Sequence, residues 1–324
     1  MKRIHRSIAA ALWELCVGAG GVAYSQADYP ARAVRIVVGF PPGAAGDLVS
    51  RAVAAPLGTA LGQQFIVENR PGASSNIATE YAARAPKDGY TLFLGTVANV
   101  VNAAVSSNLS FNFAKDFAPI ALVATVPVVL VVHPSTGVNN VQELIALAMS
   151  KPDQLNYASS GIATTPHLAG ALLNVRAGIK LVHVPYQGAS PAMTDLLAGR
   201  TQVMFSAVSV VLPHIKAGTL KALAWAAPKR SAVLPDVPTV AEIGLPELDA
   251  SIWFGLMAPA GTPQDVLDKL ARTLNAALKS EALLSQLKTM GYEPLGGTPQ
   301  DFTRYVDSEL RKWTVAVEAA GVRK

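Results

Sequence analysis

Two stretches of this chain are built from small residues in a pattern that presents bare backbone N–H groups to a small anion. The first is Phe40-Pro41-Pro42-Gly43-Ala44-Ala45-Gly46-Asp47, directly after the apolar run Val34–Val38. The second is Ala158-Ser159-Ser160-Gly161-Ile162-Ala163-Thr164-Thr165-Pro166-His167. Each leads into an apolar segment of helical period. A helix N-terminus carries unpaired N–H donors and a partial positive charge, which suits a carboxylate or a phosphate. Gly43, Ala45 and Gly46 are the candidate donors of the first loop, with Asp47 assigned to shaping the loop, because a carboxylate beside an anion repels it. Ser159, Thr164, Thr165 and His167 are the candidates of the second. Gly and Pro also serve ordinary strand-to-helix turns, and Thr165 can simply cap its helix. Two such loops far apart in sequence point to a ligand held between two lobes.

The elements that must position these loops follow from the hydrophobic pattern. Strand-like and helix-like segments alternate along the chain, as in α/β architecture. Strands are expected at Val34–Val38, Phe65–Glu68, Tyr90–Gly95, Val126–His133, Leu155–Ala158, Lys180–Val184, Val203–Phe205, Leu220–Ala226 and Ile252–Met257. Helices are expected at Asp47–Leu61, Ile77–Ala83, Val141–Met149, Pro166–Val175, Pro191–Leu197 with Ser190 as N-cap, and Val211–Ala217. Thr96–Asn102 reads as a polar loop that offers Asn99 to a ligand. Gln187 and Ser206 lie at later strand ends and are weaker candidates. Two helices close the chain, announced by Thr262-Pro263-Gln264-Asp265 and Thr298-Pro299-Gln300-Asp301, each an N-cap signature with Pro at N1 and an acid at N3. The run Val126–His133 and the run Ile252–Met257 read as two crossings between lobes. The expected organisation is a signal peptide at 1–27, a first lobe of 28–127 plus 252–324, and an inserted second lobe of 128–251. A cleft at the carboxyl ends of the strands lies between them.

Composition narrows the function. The 324 residues are 51% hydrophobic and 15% charged, enough for two cores, yet the apolar residues fall in short runs rather than in a membrane span. Lys2, Arg3, His5 and Arg6, then the mostly apolar Ile8–Val22, then Ser25 and Ala27 read as a secretory signal peptide cut after Ala27 and a periplasmic location. Trp13 and Glu14 are atypical there, and an amphipathic N-terminal helix is the alternative. The single cysteine, Cys16, lies in that segment, so the mature chain has no disulfide or thiolate chemistry. Removing residues 1–27 takes away three basic residues and one acidic residue and lowers the formal net charge from +5 to +3. With no basic block, nucleic acid is not an expected partner. The chain has no G-x-x-x-x-G-K-[ST], H-E-x-x-H or G-x-S-x-G motif. His133, His167, His183 and His214 show no metal-ligand spacing, and neither a metal nor a cofactor is expected. Ser159 or Ser160 with His167 could form a nucleophile and base, but no orienting acid accompanies them.

At this point a family resemblance emerges. Val34-Arg35-Ile36-Val37, Phe40-Pro41-Pro42-Gly43, Val67-Glu68-Asn69-Arg70-Pro71-Gly72-Ala73, Asp88-Gly89-Tyr90-Thr91-Leu92, Asn156-Tyr157-Ala158-Ser159-Ser160-Gly161, Val184-Pro185-Tyr186-Gln187-Gly188 and Leu234-Pro235-Asp236-Val237-Pro238 stand in this order. Together with Ala258-Pro259-Ala260-Gly261-Thr262-Pro263, they make the chain resemble the Bug/TctC family, the periplasmic solute receptors of tripartite tricarboxylate transporters. The resemblance implies a two-lobed periplasmic-binding-protein fold (type II-like) that closes on a small carboxylate. It also implies a partnership with the membrane components of such a transporter, and no catalysis. Here Ala44-Ala45 and Ser74-Ser75 replace glycines common in the family, which narrows backbone freedom beside the cleft. A periplasmic sensor that signals, or a hydrolase, are the competing readings. A monomer is expected.

Overall fold

The computed structural model describes residues 29–106, 108–186 and 189–322. The expected signal peptide and Gln187 therefore lie outside the described residues. The chain builds two mixed sheets. The first contains β1 (Val34–Val38), β2 (Phe65–Asn69), β3 (Thr91–Thr96), β4 (Phe117–Val126), β10 (Ile252–Pro259) and β11 (Glu293–Gly296), in the order β11-β4-β10-β3-β1-β2. The second contains β5 (Val128–Val132), β6 (Asn156–Ser159), β7 (Val182–Pro185), β8 (Val203–Ala207) and β9 (Lys221–Trp225), in the order β7-β6-β8-β5-β9. β1 pairs in parallel with β2 and β3, while β10 runs antiparallel between β3 and β4. The chain passes from one sheet to the other at Pro127, between β4 and β5, and returns through β10.

Helices cover both faces of each sheet. α1 (Ala45–Leu61), α8 (Gln264–Leu278) and α9 (Glu281–Thr289) bury Val53, Leu57, Leu270 and Leu274 against Ile36, Leu92 and Leu256. α2 (Asn76–Ala83), α3 (Val97–Val105) and α10 (Pro299–Ala319) lie on the opposite face, where Ala78, Val100 and Trp313 join Val37 and Phe93. In the second sheet, α5 (Thr165–Ala177) and α4 (Val141–Ser150) add Leu168, Leu172 and Leu144 to that same core. α6 (Ala189–Leu197) and α7 (Val208–Lys216) cover the other face around Met204 and Trp225. Among the described residues no helix is long and apolar enough to cross a membrane.

Several expectations are corrected. Thr96–Asn102 is not a loop. Thr96 caps α3, its hydroxyl accepting from the Ala98 N–H while Asn99 Oδ1 accepts from the Thr96 N–H at 2.8 Å, a reciprocal cap. Val97, Val100 and Val101 then bury one helical face. Ser190 and Pro191 lie inside α6 rather than ahead of it. Three helices, not two, close the chain, with β11 between the second and third. Thr262 does not cap α8; its hydroxyl donates to the Pro259 carbonyl. Thr298 does cap α10.

Candidate functional site

The loop before α1 is shaped by a buried carboxylate. Asp47 accepts from the Gly43 N–H at 2.9 Å, from Asn69 Nδ2 at 2.9 Å and from the Arg51 guanidinium. Asn69 also donates to the Phe40 carbonyl at 3.0 Å. Burial pushes the Asp47 carboxyl up, but Arg51, the Gly43 N–H and Asn69 outweigh it and hold the group below the usual carboxylate range. The Gly43 N–H is thus consumed by Asp47, and the Ala44 N–H by the Pro41 carbonyl. Gly43 turns the chain at φ +81° and does not offer a donor. What opens onto the cleft is the first turn of α1 itself. Its cap residue, Ala44, has no side-chain cap, and the N–H groups of Ala45 and Gly46 have no carbonyl four residues back within the helix.

The second loop closes on Gly161. The Gly161 carbonyl accepts from Ser159 Oγ at 3.0 Å and from Thr164 Oγ1 at 2.7 Å, and the Gly161 N–H donates to Ser159 Oγ. The Ala163 N–H donates to His167 Nδ1 at 3.0 Å, which fixes the proton on Nε2 in the neutral ring. α5 then starts at Thr165 without a side-chain cap. Pro166 in its first turn has no N–H, so Thr165 and His167 carry the first-turn donors, the smaller counterpart of those of α1 from the other sheet.

Both helix starts reach one cleft of about 340 Å³. Ala45, Gly46, Thr164 and Thr165, all named as candidates above, line it. Phe40, Ser74, Thr96, Val97, Ala98, Val101 and Asn102 complete the first wall, with Ile162 and Ala163 opposite. Ile252 and Phe254 of the returning strand β10 contribute as well. Among the described residues, no charged side chain lines the cleft.

The other expected ligand residues have different work. Asn99 is buried and spends its side chain on Thr96, on Thr79 Oγ1 at 2.9 Å and on Ser75 Oγ at 3.3 Å. Ser159 is fully buried and its hydroxyl meets His183 Nε2 at 2.7 Å, so the serine–histidine contact is with His183, not His167. His167 stacks on His183 with ring centroids 3.8 Å apart and faces a separate cavity of about 590 Å³. Burial lowers the His167 pKa, and burial together with His167 pushes His183 down to about 4. A donor role for His167 that strengthens at lower pH is therefore set aside. Ser206 is buried at the end of β8, outside the cleft lining. Arg70 forms a structural pair with Glu68 at 2.6 Å and lies over the Tyr81 ring.

The segment Ala73-Ser74-Ser75 is the residue set that sequence reading undervalued. All three adopt left-handed backbone, with φ of 45°, 53° and 78°, a conformation costly for residues with a Cβ. Asn102 Nδ2 holds the Ser74 carbonyl at 2.6 Å, and Asn99 holds Ser75. This run delivers Ser74 to the cleft. The signal was visible as Ser-Ser where glycines are common, and strain held in place by the surroundings is what a positioned group requires.

Comparison with known proteins agrees with this architecture. The profile described as the tripartite tricarboxylate transporter family receptor matches residues 49–322. Protein BugT of Bordetella pertussis is 35% identical over 308 residues, 94% of this chain and 94% of BugT. The structure of R. palustris Rpa4515 with adipate is 36% identical, with a TM-score of 0.72 over 91% of this chain and 99% of the other. MatC (Rpa3494) from Rhodopseudomonas palustris with bound malate is 31% identical, with a TM-score of 0.70 over 89% and 100%. By sequence over most of its length and by its two-lobed fold, this chain belongs to the tripartite tricarboxylate transporter receptor family.

Proposed function

We propose that this receptor closes its two lobes on a small organic carboxylate in the periplasm and delivers it to the membrane components of a tripartite tricarboxylate-type transporter. The observation that carries the reading is that α1 and α5, from different sheets, both open uncapped N-termini onto one cleft that no charged side chain lines among the described residues. Each end carries roughly half a positive charge and unpaired donors. An anion between them gains from both at once only when the lobes approach, so it stabilises the closed state by its extra contacts there. Relatives solved with adipate and with malate support a carboxylate as the cargo.

The moving bodies are 28–127 with 252–324 and 128–251, hinged at Pro127 and at the entry to β10. Residues 1–27 serve as the signal peptide. The protein acts as a monomer that binds without turnover; Ser159, the nearest approach to a nucleophile, is buried with its hydroxyl bound to Gly161 and His183, away from the cleft. Thermal-shift measurement of the mature chain against small carboxylates and their neutral amides tests the reading. At 100 times the dissociation constant a ligand adds about 2.7 kcal/mol to the native state. A shift with an acid and none with its amide is the expected result. Equal shifts with both, or none with any acid, refute the anion clamp.

A further inference from the structure

The polar side chains of the cleft are mostly committed to the protein. Thr96 Oγ1 accepts from the Ala98 N–H, Thr164 Oγ1 donates to the Gly161 carbonyl, and Asn102 Nδ2 divides between the Ser74 carbonyl and Asn76 Oδ1. The rest of the lining is hydrocarbon: Phe40, Val97, Val101, Ile162, Ile252 and Phe254. The anion donors sit at the starts of α1 and α5, where the Thr165 hydroxyl lies beside them, and the strained loop adds the Ser74 hydroxyl, so the polar groups gather at the anion ends and few remain to meet the body of a ligand. A hydroxyl on that body set against Phe40, Val101, Ile252 or Phe254 loses water and gains no partner there.

We propose that this cleft selects carboxylates whose carbon body bears no hydroxyl groups, straight-chain or aromatic, and rejects hydroxy acids, with Phe40, Val101, Ile252 and Phe254 as the residues that set this selectivity. The proposal rests on the carboxylate reading above and narrows its substrate class. Family membership does not decide it, since relatives have been solved with adipate, which has no hydroxyl, and with malate, which has one. The decision lies in this chain's own wall. An apolar site discriminates against an added hydroxyl by about a hundredfold at most, and one unpaired hydroxyl commonly lowers affinity about tenfold.

The test is isothermal titration of the ligand-stripped mature chain with three matched pairs: adipate and galactarate, succinate and malate, benzoate and gallate. Adipamide serves as the uncharged control. The expected result is that the tightest binder is hydroxyl-free and binds at least tenfold more tightly than its hydroxylated partner. A hydroxylated acid as the tightest binder, or a gap below tenfold, overturns the selectivity while leaving the carboxylate reading standing. Absence of binding by every acid, or adipamide binding as tightly as adipate, overturns the carboxylate reading and the selectivity with it.

Discussion

Gly39, the last residue before the first anion loop, tests whether the two first-lobe loops depend on each other. A Cβ added at Gly39 falls 1.8 Å from Ser75 Oγ, 2.4 Å from Ser75 Cβ and 2.8 Å from Ser75 Cα. Ordinary carbon–carbon separations are about 3.5–4.0 Å. Rotating the Ser75 hydroxyl relieves only the first of these clashes. The other two persist, and since Cβ moves only with the backbone, the 2.4 Å approach forces a movement of about 1.1 Å to reach the short end of that spacing. Ser75 has little room to give, because it holds a left-handed conformation and is tied to Asn99 at 3.3 Å. Overpacking of this kind costs about 1–3 kcal/mol, and a clash with backbone belongs at the upper end. Urea unfolding followed by tryptophan fluorescence reads the cost as a lower midpoint with an unchanged slope. Ser75→Gly removes the clashes with Oγ and Cβ and leaves only the 2.8 Å approach to the backbone carbon of residue 75. The double variant is therefore less damaging than the sum of the two changes, with a coupling of about 1–2 kcal/mol. The same displacement carries Ser74 away from the cleft and weakens binding of the carboxylate proposed above. A Gly39→Ala chain with the wild-type midpoint, or strict additivity with Ser75→Gly, refutes the claim that loop 72–75 is wedged against β1.

Two further outcomes follow from buried carboxylates. Asp47→Asn keeps one acceptor oxygen but turns the other into an NH2 group facing the donors of Gly43, Asn69 and Arg51, removes the charge that pairs with Arg51, and costs about 1–3 kcal/mol near neutral pH. Because the native Asp47 pKa is lowered, its contribution is present above the unfolded value of about 3.9 and is lost as pH falls through the native value; melting curves of wild type and variant should converge below pH 4, and a constant gap refutes the assignment. Glu309→Ala strips the acceptor from the indole N–H groups of Trp253 and Trp313, both at 2.9 Å, and from Lys312. Breaking such a buried network by one partner costs about 3 kcal/mol or more, read as a melting temperature lower by several degrees; a drop below one degree refutes it.

Much of the frame was legible because it depends on local pattern. Val34–Val38 has the β-branched apolar run of a strand buried on both faces, and β1 spans those same residues. The small-residue loops before α1 and α5 announced helix starts for the same local reason. The fate of each N–H was not legible, because the competing acceptor comes from elsewhere. Gly43 loses its donor to Asp47, which is oriented in turn by Asn69, a residue on the next strand. His183 meets Ser159 because β6 and β7 pair in parallel with Tyr157 opposite His183, a register that no spacing in the chain states. α3 was hidden by its own cap, since Thr96 and Asn99 lend the segment the polarity of a loop while serving to begin a helix. With that helix unread, Val97, Val101 and Asn102 could not be placed in the cleft wall.

The C-terminal helix gives these parts a mechanical relation. α3 and α5 both begin at the cleft, one in each lobe, and α10 packs against both of them. Any closure that changes the separation of α3 and α5 must therefore be accommodated along α10. The helix is not free to follow either lobe at its other attachment. Glu309, buried at 2% exposure, accepts from Trp253 on the returning strand, and Lys312 donates to the Asp249 carbonyl just ahead of that strand. Burial raises the Glu309 pKa and Lys312 and Trp313 only partly offset it, so the group is held there at an energetic disadvantage that its three donors must compensate. An anchor of that kind fixes α10 to the start of β10 while its length packs against both α3 and α5. The cleft walls at α3 and α5 thus share one support in α10, whereas α1 packs on the opposite face of its sheet against α8 and α9; under the closure proposed above, α1 would approach α5 only through a movement of its whole sheet, which a rigid-body motion supplies without remaking either loop.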